Sequence, residues 1–330
     1  MNKYGTLKSP ESCIRIEPYK QLPDTFEDVL AGLLEPPRKL SPKYFYDDHG
    51  SLLFDRICRT DEYYLTRTEE ALLTAYSTDI ITLTMPDQIL ELGSGVSHKI
   101  RMLLDACEEF SHSCEYAPFD VCEEIVAMAT KKLAVEYHWL DINPMVGDYH
   151  AGLGNLPKTE GVRLAAFLGS TIGNFTVQEC SEFITEIKQC LQPGDYFLIG
   201  ADRVKDTAIL NAAYNDTDGI TAEFNLNLLT VLNREINTDF DLENFSHYAC
   251  YNEAQGQIEM YLVSKCDQEV RLGENGTRIG LAAGERILTE ISRKYNEEEL
   301  ESMLVERGFR IVRHYQPANR YFSLLLARVE

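Results

Sequence analysis

No two cysteines in this chain have CxxC spacing, and no two histidines stand in HxxxH register. The nine cysteines are odd in number and read as reduced thiols of a cytoplasmic protein, not as a disulfide framework. With no ligand spacing among the seven histidines, a metal site is not expected. No apolar run approaches the roughly 18 residues of a membrane span. Met1 to Lys20 carry no apolar signal-peptide core, so neither a membrane partner nor a secretory leader is expected. Positive charge is scarce. Lys and Arg number 31 against 53 Asp and Glu, a net charge of −22, which argues against nucleic acid or anionic membrane as partner and favours a cationic small molecule. Internal repeats and low-complexity tracts are missing too. What is present is ordinary core material, 44% hydrophobic over 330 residues, enough for about two domains.

The chain is organised around Gln88-Ile89-Leu90-Glu91-Leu92-Gly93-Ser94-Gly95-Val96-Ser97-His98-Lys99. A short apolar run, two glycines flanking Ser94 and a helix-like continuation (Ile100, Leu103, Leu104) make a strand, a tight turn and a helix start, the opening of a nucleotide-binding unit. The glycines permit positive φ and close approach of a ligand to the backbone. The third glycine of a dinucleotide fingerprint would fall at His98, which weakens an NAD reading. Glu91 before the first glycine fits S-adenosylmethionine better. Lys99 opposes the helix dipole unless an anion such as the methionine carboxylate sits there.

From residue 88 onward strand and helix patterns alternate: strands at 88–92, 115–120, near 137–141, 163–169 and 196–200, with helices between them. Alternation of this length means a parallel, doubly wound sheet. Thr66 and Glu69 have capping-box spacing, as do Thr176 and Glu179. After Asp202 the alternation stops. A helical stretch, a period-two segment at 257–263 and turns at 273–284 follow; a strand at 287–292, a helix capped by Asn296 and ended by Gly308, and two final strands close the chain. The expected division is a cofactor domain of residues 66–204 and 295–330, and a substrate domain of 1–65 with the insertion 205–294.

Several residues carry chemistry by position. Asp120, ending the second strand, is placed to accept ribose hydroxyls; a solvated capping aspartate is the competing reading. Asp148, in Gly147-Asp148-Tyr149, would bind an adenine amino group, or be a plain turn residue. Leu168-Gly169-Ser170-Thr171-Ile172-Gly173-Asn174-Phe175 ends a buried strand at the crevice and aims the Asn174 amide at the reaction centre. The rings of Tyr44, Phe45, Tyr46, Tyr63 and Tyr64 are core by composition, yet flanking Asp47, Asp48, Asp61 and Glu62 make full burial awkward. Ring faces suit an ammonium, worth about 0.5–2 kcal/mol per ring. Glu290 and Ser292 share one face of a strand and together suit a group with one N–H donor and one ring-nitrogen acceptor.

In the motifs FYDDHGSLLF, EYYLTRTE, ELGSGVSHK, FLGSTIGNF, NAAYND and TEIS the sequence resembles the histidine-specific Nα-methyltransferases of ergothioneine biosynthesis, from about residue 41 to the C-terminus. The resemblance implies an α/β class I methyltransferase, a doubly wound Rossmann-like sheet with a second α+β domain from the N-terminus and the insertion. It implies trimethylation of L-histidine by S-adenosylmethionine in a monomer. Carried over, Asn174 and Tyr214 hold the substrate carboxylate; Tyr63, Glu290 and Ser292 hold the imidazole, with Met260 lining its pocket; Tyr46, Phe54 and the Gly169 backbone surround the amine. Tyr46 and Asn174 are the residues nearest the chemistry. Gly93, Ser94, Gly95, Lys99, Asp120, Asp148 and Tyr149 hold the cofactor. Cys122 departs from the serine expected beside Asp120. The alternatives are a methyltransferase for another amine, such as a tryptophan derivative, and a non-catalytic cofactor-binding paralogue.

Overall fold

The computed structural model describes residues 13–274 and 276–330. The first twelve residues of the expected substrate domain, and Asn275 within the expected turn at 273–284, lie outside the described residues. The stretch before residue 41, which carries no motif, forms β1 (Ile14–Arg15), α1 (Thr25–Leu33) and β2 (Arg38–Lys39). Helix α1 has its own start signal: Asp24 accepts from the Glu27 N–H, and the Glu27 carboxylate reaches back to the Asp24 N–H. A 3-10 turn at Pro42–Phe45 leads into α2 (Asp48–Ile57), followed by α3 (Tyr64–Thr84).

The alternating part comprises β3 (Gln88–Leu92), α4 (Ile100–Glu109), β4 (Glu115–Asp120), α5 (Glu123–Glu136), β5 (Asp141–Ile142), β6 (Met145–Val146), β7 (Arg163–Phe167), α6 (Val177–Cys190) and β8 (Tyr196–Asp202). The insertion contains α7 (Thr207–Ala213), α8 (Ile220–Glu235), β9 (Phe245–Asn252), β10 (Gln257–Ser264), β11 (Gln268–Leu272), β12 (Thr277–Leu281) and β13 (Arg286–Arg293). Helix α9 (Glu297–Val305), β14 (Phe309–Tyr315) and β15 (Phe322–Val329) follow. The large sheet runs β1-β6-β4-β3-β7-β8-β15-β14, with β5 also on β4. Strand β15 is antiparallel to both its neighbours, while the strands from β1 to β8 pair in parallel. Every residue of β3 and β7 is buried, as expected of a parallel sheet covered on both faces. Strand order reverses at β3, which opens the ligand crevice at the carboxyl ends of the strands. This is the class I methyltransferase sheet.

A second sheet, β2-β13-β10-β9, and a hairpin, β11-β12, come from the N-terminal stretch and the insertion. One apolar core joins Val29, Phe45, Leu53 and Leu65 to Leu210, Phe224, Leu228, Met260 and Ile287. Two others lie on the faces of the large sheet.

Three local expectations need correction. The strand near 137–141 is only Asp141–Ile142; α5 continues to Glu136, and the buried Tyr137 caps it through its N–H to Leu133 O. The helical stretch after 205 hides β9, whose faces alternate too weakly in hydropathy to signal a strand. Thr66 and Glu69 do not start a helix. Helix α3 begins at Tyr64 with Tyr63 at the cap, so Glu69 lies inside it, fully buried. The Thr176–Glu179 capping box is present and opens α6.

Candidate active site

The glycine turn after β3 is held from beneath. Gly93 N–H donates to Phe119 O at 2.8 Å, and both Gly93 and Gly95 have positive φ, 70° and 48°. A side chain on Gly95 would meet nothing within 4 Å, so that turn faces open space. Ser94 is buried, and its hydroxyl has no hydrogen-bond partner among the described residues. A buried, unpartnered hydroxyl beside an open glycine cradle is what a bound cofactor would satisfy. Asp120 accepts from Gly95 N–H at 2.9 Å and from Cys122 N–H at 3.1 Å, which fixes its carboxylate at the turn. The Cys122 side chain points to Glu124, 3.7 Å from its carboxylate oxygen, and leaves Asp120 alone.

Asp148 caps the turn Tyr149–Ala151 through the His150 N–H at 2.8 Å. It lines a cavity of about 540 Å³ with Arg15, Ile16, Phe119, Val121 and Gly147. Tyr149 packs edge-on against Phe167, Phe175 and Phe183 and lies 3.9 Å from where a Cβ on Gly93 would be. Glu91 is engaged within the protein. It is buried, takes a hydrogen bond from the Tyr116 hydroxyl, and burial pushes its carboxyl up to about 8. Its work is to hold Tyr116, which also reaches Ser97 Oγ at 3.0 Å.

Lys99 is joined to Glu69, a residue whose part in the site the sequence did not disclose. Lys99 Nζ lies 2.6 Å from Glu69 Oε2, and both Glu69 oxygens accept from the Gly169 N–H at 2.8 and 2.9 Å. Burial opposes the Lys99 charge, but Glu69 outweighs it and holds the ammonium above its ordinary value. One carboxylate thus ties the helix after the glycine turn to the loop after β7. In that loop Gly169 has φ 83°, and a Cβ there would lie 3.3 Å from Lys99 Nζ.

The other wall is aromatic. Tyr46 packs edge-on against Phe54 and Phe224, centroids 5.8 Å apart in each case. Phe54 meets Tyr63 at 6.2 Å, and Tyr63 meets Tyr214 at 6.0 Å. Phe224, from α8, completes the wall and carries no motif. Burial first, then Glu290, push the Tyr46 hydroxyl well above its ordinary value, so it is neutral at physiological pH.

Glu290 and Ser292 reach this wall because β13 is bulged. Leu288 pairs with Tyr261 and Glu290 with Met260, so the register slips by one residue between them. Thr289 and Glu290 are consequently both buried, and the inward face passes to Glu290 and Ser292; re-aiming a side chain is a common use of a bulge. Met260, opposite Glu290, is 1% exposed and sits in the apolar core. No hydrogen bond engages the Glu290 carboxylate among the described residues, and burial pushes it up to about 7 against the counter-pull of Lys294. Asn174 ends the 3-10 turn Thr171–Asn174, with its amide part-exposed and free of hydrogen bonds among the described residues. The preceding Gly173 lies against β13, where a Cβ would be 3.4 Å from Ser292 Oγ. Tyr214 and Ser292, expected to serve carboxylate and imidazole separately, are joined by a 2.8 Å hydrogen bond. They share Lys294, which lies just past β13 in the parity of Glu290 and Ser292, the one sequence signal that hints at its side of the strand.

The site therefore brings a cofactor crevice, an aromatic wall and an unpartnered carboxylate beside a hydroxyl into one place. Residues 25–329 match the family described as SAM-dependent, histidine-specific methyltransferases. The histidine N-alpha-methyltransferase of Mycolicibacterium smegmatis is 44% identical over 300 residues, 91% of this chain and 93% of that protein. The protein of that name from Mycobacterium tuberculosis is 41% identical over the same shares. An L-tryptophan methyltransferase from Psilocybe serbica is 26% identical, over 85% of this chain and 86% of its own. The chain belongs to the SAM-dependent, histidine-specific methyltransferase family.

Proposed function

We propose that this protein transfers three methyl groups to the α-amino nitrogen of L-histidine, giving Nα,Nα,Nα-trimethylhistidine for ergothioneine biosynthesis. The observation that carries the reading is the buried, unpartnered Glu290 carboxylate beside Ser292, since an imidazole offers it an N–H and keeps a second nitrogen for the hydroxyl. An indole has one N–H and no acceptor nitrogen, which disfavours a tryptophan derivative. In this reading residues 66–204 and 295–330 hold the cofactor, residues 1–65 and 205–294 supply most histidine contacts, and the enzyme acts as a monomer.

Bound S-adenosylmethionine would supply an electrophilic methyl on a sulfonium. Gly93, Ser94, Gly95 and Tyr149 would cradle it, Asp120 would accept from its ribose, Asp148 would meet the adenine, and Lys99 would hold its carboxylate. Asn174 holds the substrate carboxylate; Tyr214, the other residue expected there, gives its hydroxyl proton to Ser292 instead. Tyr46, Phe54 and the Gly169 backbone surround the amine and exclude water, while Tyr63 joins Glu290 and Ser292 at the imidazole, so positioning and desolvation supply most of the rate. The Tyr46 hydroxyl, kept neutral by burial, is a weak acceptor that relays the amine proton outward. Asp120→Ala is expected to lose about 1.5–3 kcal/mol of adenosylhomocysteine affinity, the range for a hydrogen bond to a charged partner; unchanged affinity by calorimetric titration would remove Asp120 from the site.

Each methyl adds bulk and removes an N–H, so a pocket that depended on several hydrogen bonds to the amine would stop after one transfer. Ring faces lose little as methyls accumulate and keep attracting the quaternary ammonium. Mass spectrometry of histidine with excess cofactor should find the trimethyl product dominant, with the dimethyl intermediate used at least as readily as histidine. Tyr46→Phe should slow transfer more than it weakens dimethylhistidine binding. Accumulation of monomethylhistidine by an enzyme unable to use the dimethyl form would exclude the trimethylation reading.

A further inference from the structure

Lys294 lies two residues past Ser292 and is buried, 2% exposed, among Ser292, Tyr214 and Asp202 at 3%, 5% and 0%. Its ammonium nitrogen is 2.8 Å from Ser292 Oγ, 3.0 Å from Tyr214 Oη and 3.1 Å from Asp202 Oδ2. The two hydroxyls bond each other at 2.8 Å. An ammonium has three donors and no acceptor, so one donor goes to each of these three partners. The two hydroxyls own two protons, and only one fits between their oxygens. The phenol is the stronger acid and supplies it. Ser292 Oγ then accepts from both Lys294 and Tyr214, and its own proton must point out of the triangle, toward the pocket that Glu290 also faces.

We propose that Lys294 is a positioning residue that determines ring specificity by fixing Ser292 as a hydrogen-bond donor. The inference rests on the histidine reading of this site. With Ser292 restricted to donating, and with Glu290 ionised and therefore only accepting, the pocket takes a neutral imidazole in one tautomer. It refuses a ring that presents C–H in place of the second nitrogen, because the Ser292 proton is then buried without an acceptor. Lys294 is itself held by Asp202, which also binds Lys205 Nζ and accepts from Tyr64 Oη at 2.7 Å. Removing the Lys294 charge therefore leaves Asp202 with a cation.

The test compares kcat/KM for histidine with those for the pyrrol-2-yl and pyrrol-3-yl alanines, each of which keeps one N–H and replaces the other nitrogen by C–H. The wild-type ratio of histidine to the better pyrrole should be at least about 100-fold, and Lys294→Met should lower it at least about tenfold. A merely structural role would depress both substrates together and leave the ratio unmoved. In a Ser292→Ala background Lys294→Met should not change the ratio further. If Lys294→Met no longer binds adenosylhomocysteine, Lys294→Gln asks the same question: it removes the charge and offers an amide oxygen that can accept the Ser292 proton, and should lower the ratio at least about threefold. The substrate carboxylate is common to all three amino acids and cancels. An unmoved ratio in the folded variant overturns the assignment of Lys294 alone, whereas a wild-type enzyme that cannot methylate histidine overturns the functional reading together with it.

Discussion

Replacing Glu290 by alanine is expected to lower kcat/KM for histidine by at least about 100-fold while adenosylhomocysteine affinity stays within about twofold. The asymmetry follows from the geometry. Glu290 sits on β13, 9% exposed, on the aromatic side of the pocket, whereas the glycine turn and Asp120 belong to the large sheet. A site built around a polar partner loses more discrimination when that partner is removed than an apolar pocket does. Comparable losses toward histidine and adenosylhomocysteine would instead make Glu290 a scaffold residue. The same carboxyl gives a stability signature. Burial raises it from 4.5 to about 7, so its contribution to folding is favourable below about pH 4.5 and is lost as pH rises through about 7, a change of roughly 3 kcal/mol. Glu290→Gln should flatten that part of the pH dependence of urea unfolding in the ligand-free protein; an identical pH dependence in the variant would refute this account of the buried carboxyl.

Glu69→Ala should destabilise the fold by about 3–5 kcal/mol, the usual result of removing one member of a buried ion pair. Glu69 is 0% exposed and satisfies two groups at once, the Gly169 N–H and the Lys99 ammonium. Alanine strands both. The space is also tight, since a Cβ on Gly200 would strike the Glu69 carboxylate. Adding Lys99→Met should restore part of the loss, because the uncompensated charge goes while the orphaned Gly169 N–H remains. Urea unfolding of the two single variants and the double variant measures that coupling. Strict additivity would mean that the 2.6 Å pair contributes nothing to stability.

Much of the site was legible because local chemistry and position coincide there. Gly93 and Gly95 announce a turn with positive φ, Asp120 ends the strand beside it, and Asn174 follows a buried strand at the crevice. Glu69 was misread because capping-box spacing is a local signal, and the packing of α3 against the sheet placed that carboxylate inside the helix. Phe224 was invisible for a related reason: a phenylalanine on an amphipathic helix looks like core wherever its neighbours are unknown.

The sequence by itself determined the alternating strand–helix order from Gln88 to Asp202, the glycine turn and the expectation of a methyl donor in it, because hydrophobic period and backbone permissiveness are properties of short stretches. It also paired Glu290 with Ser292 on one face, since a strand repeats every two residues. Only the tertiary structure decided which face that is. A bulge between Leu288 and Glu290 in the pairing with β10 turns both side chains inward, and no local propensity encodes a register slip against a partner strand. Only the tertiary structure likewise brought Asp202 from the large sheet, Tyr214 from the end of α7 and Lys294 from the end of β13 into one hydrogen-bonded group. They come from separate elements, and only their common burial obliges each polar atom to find the others.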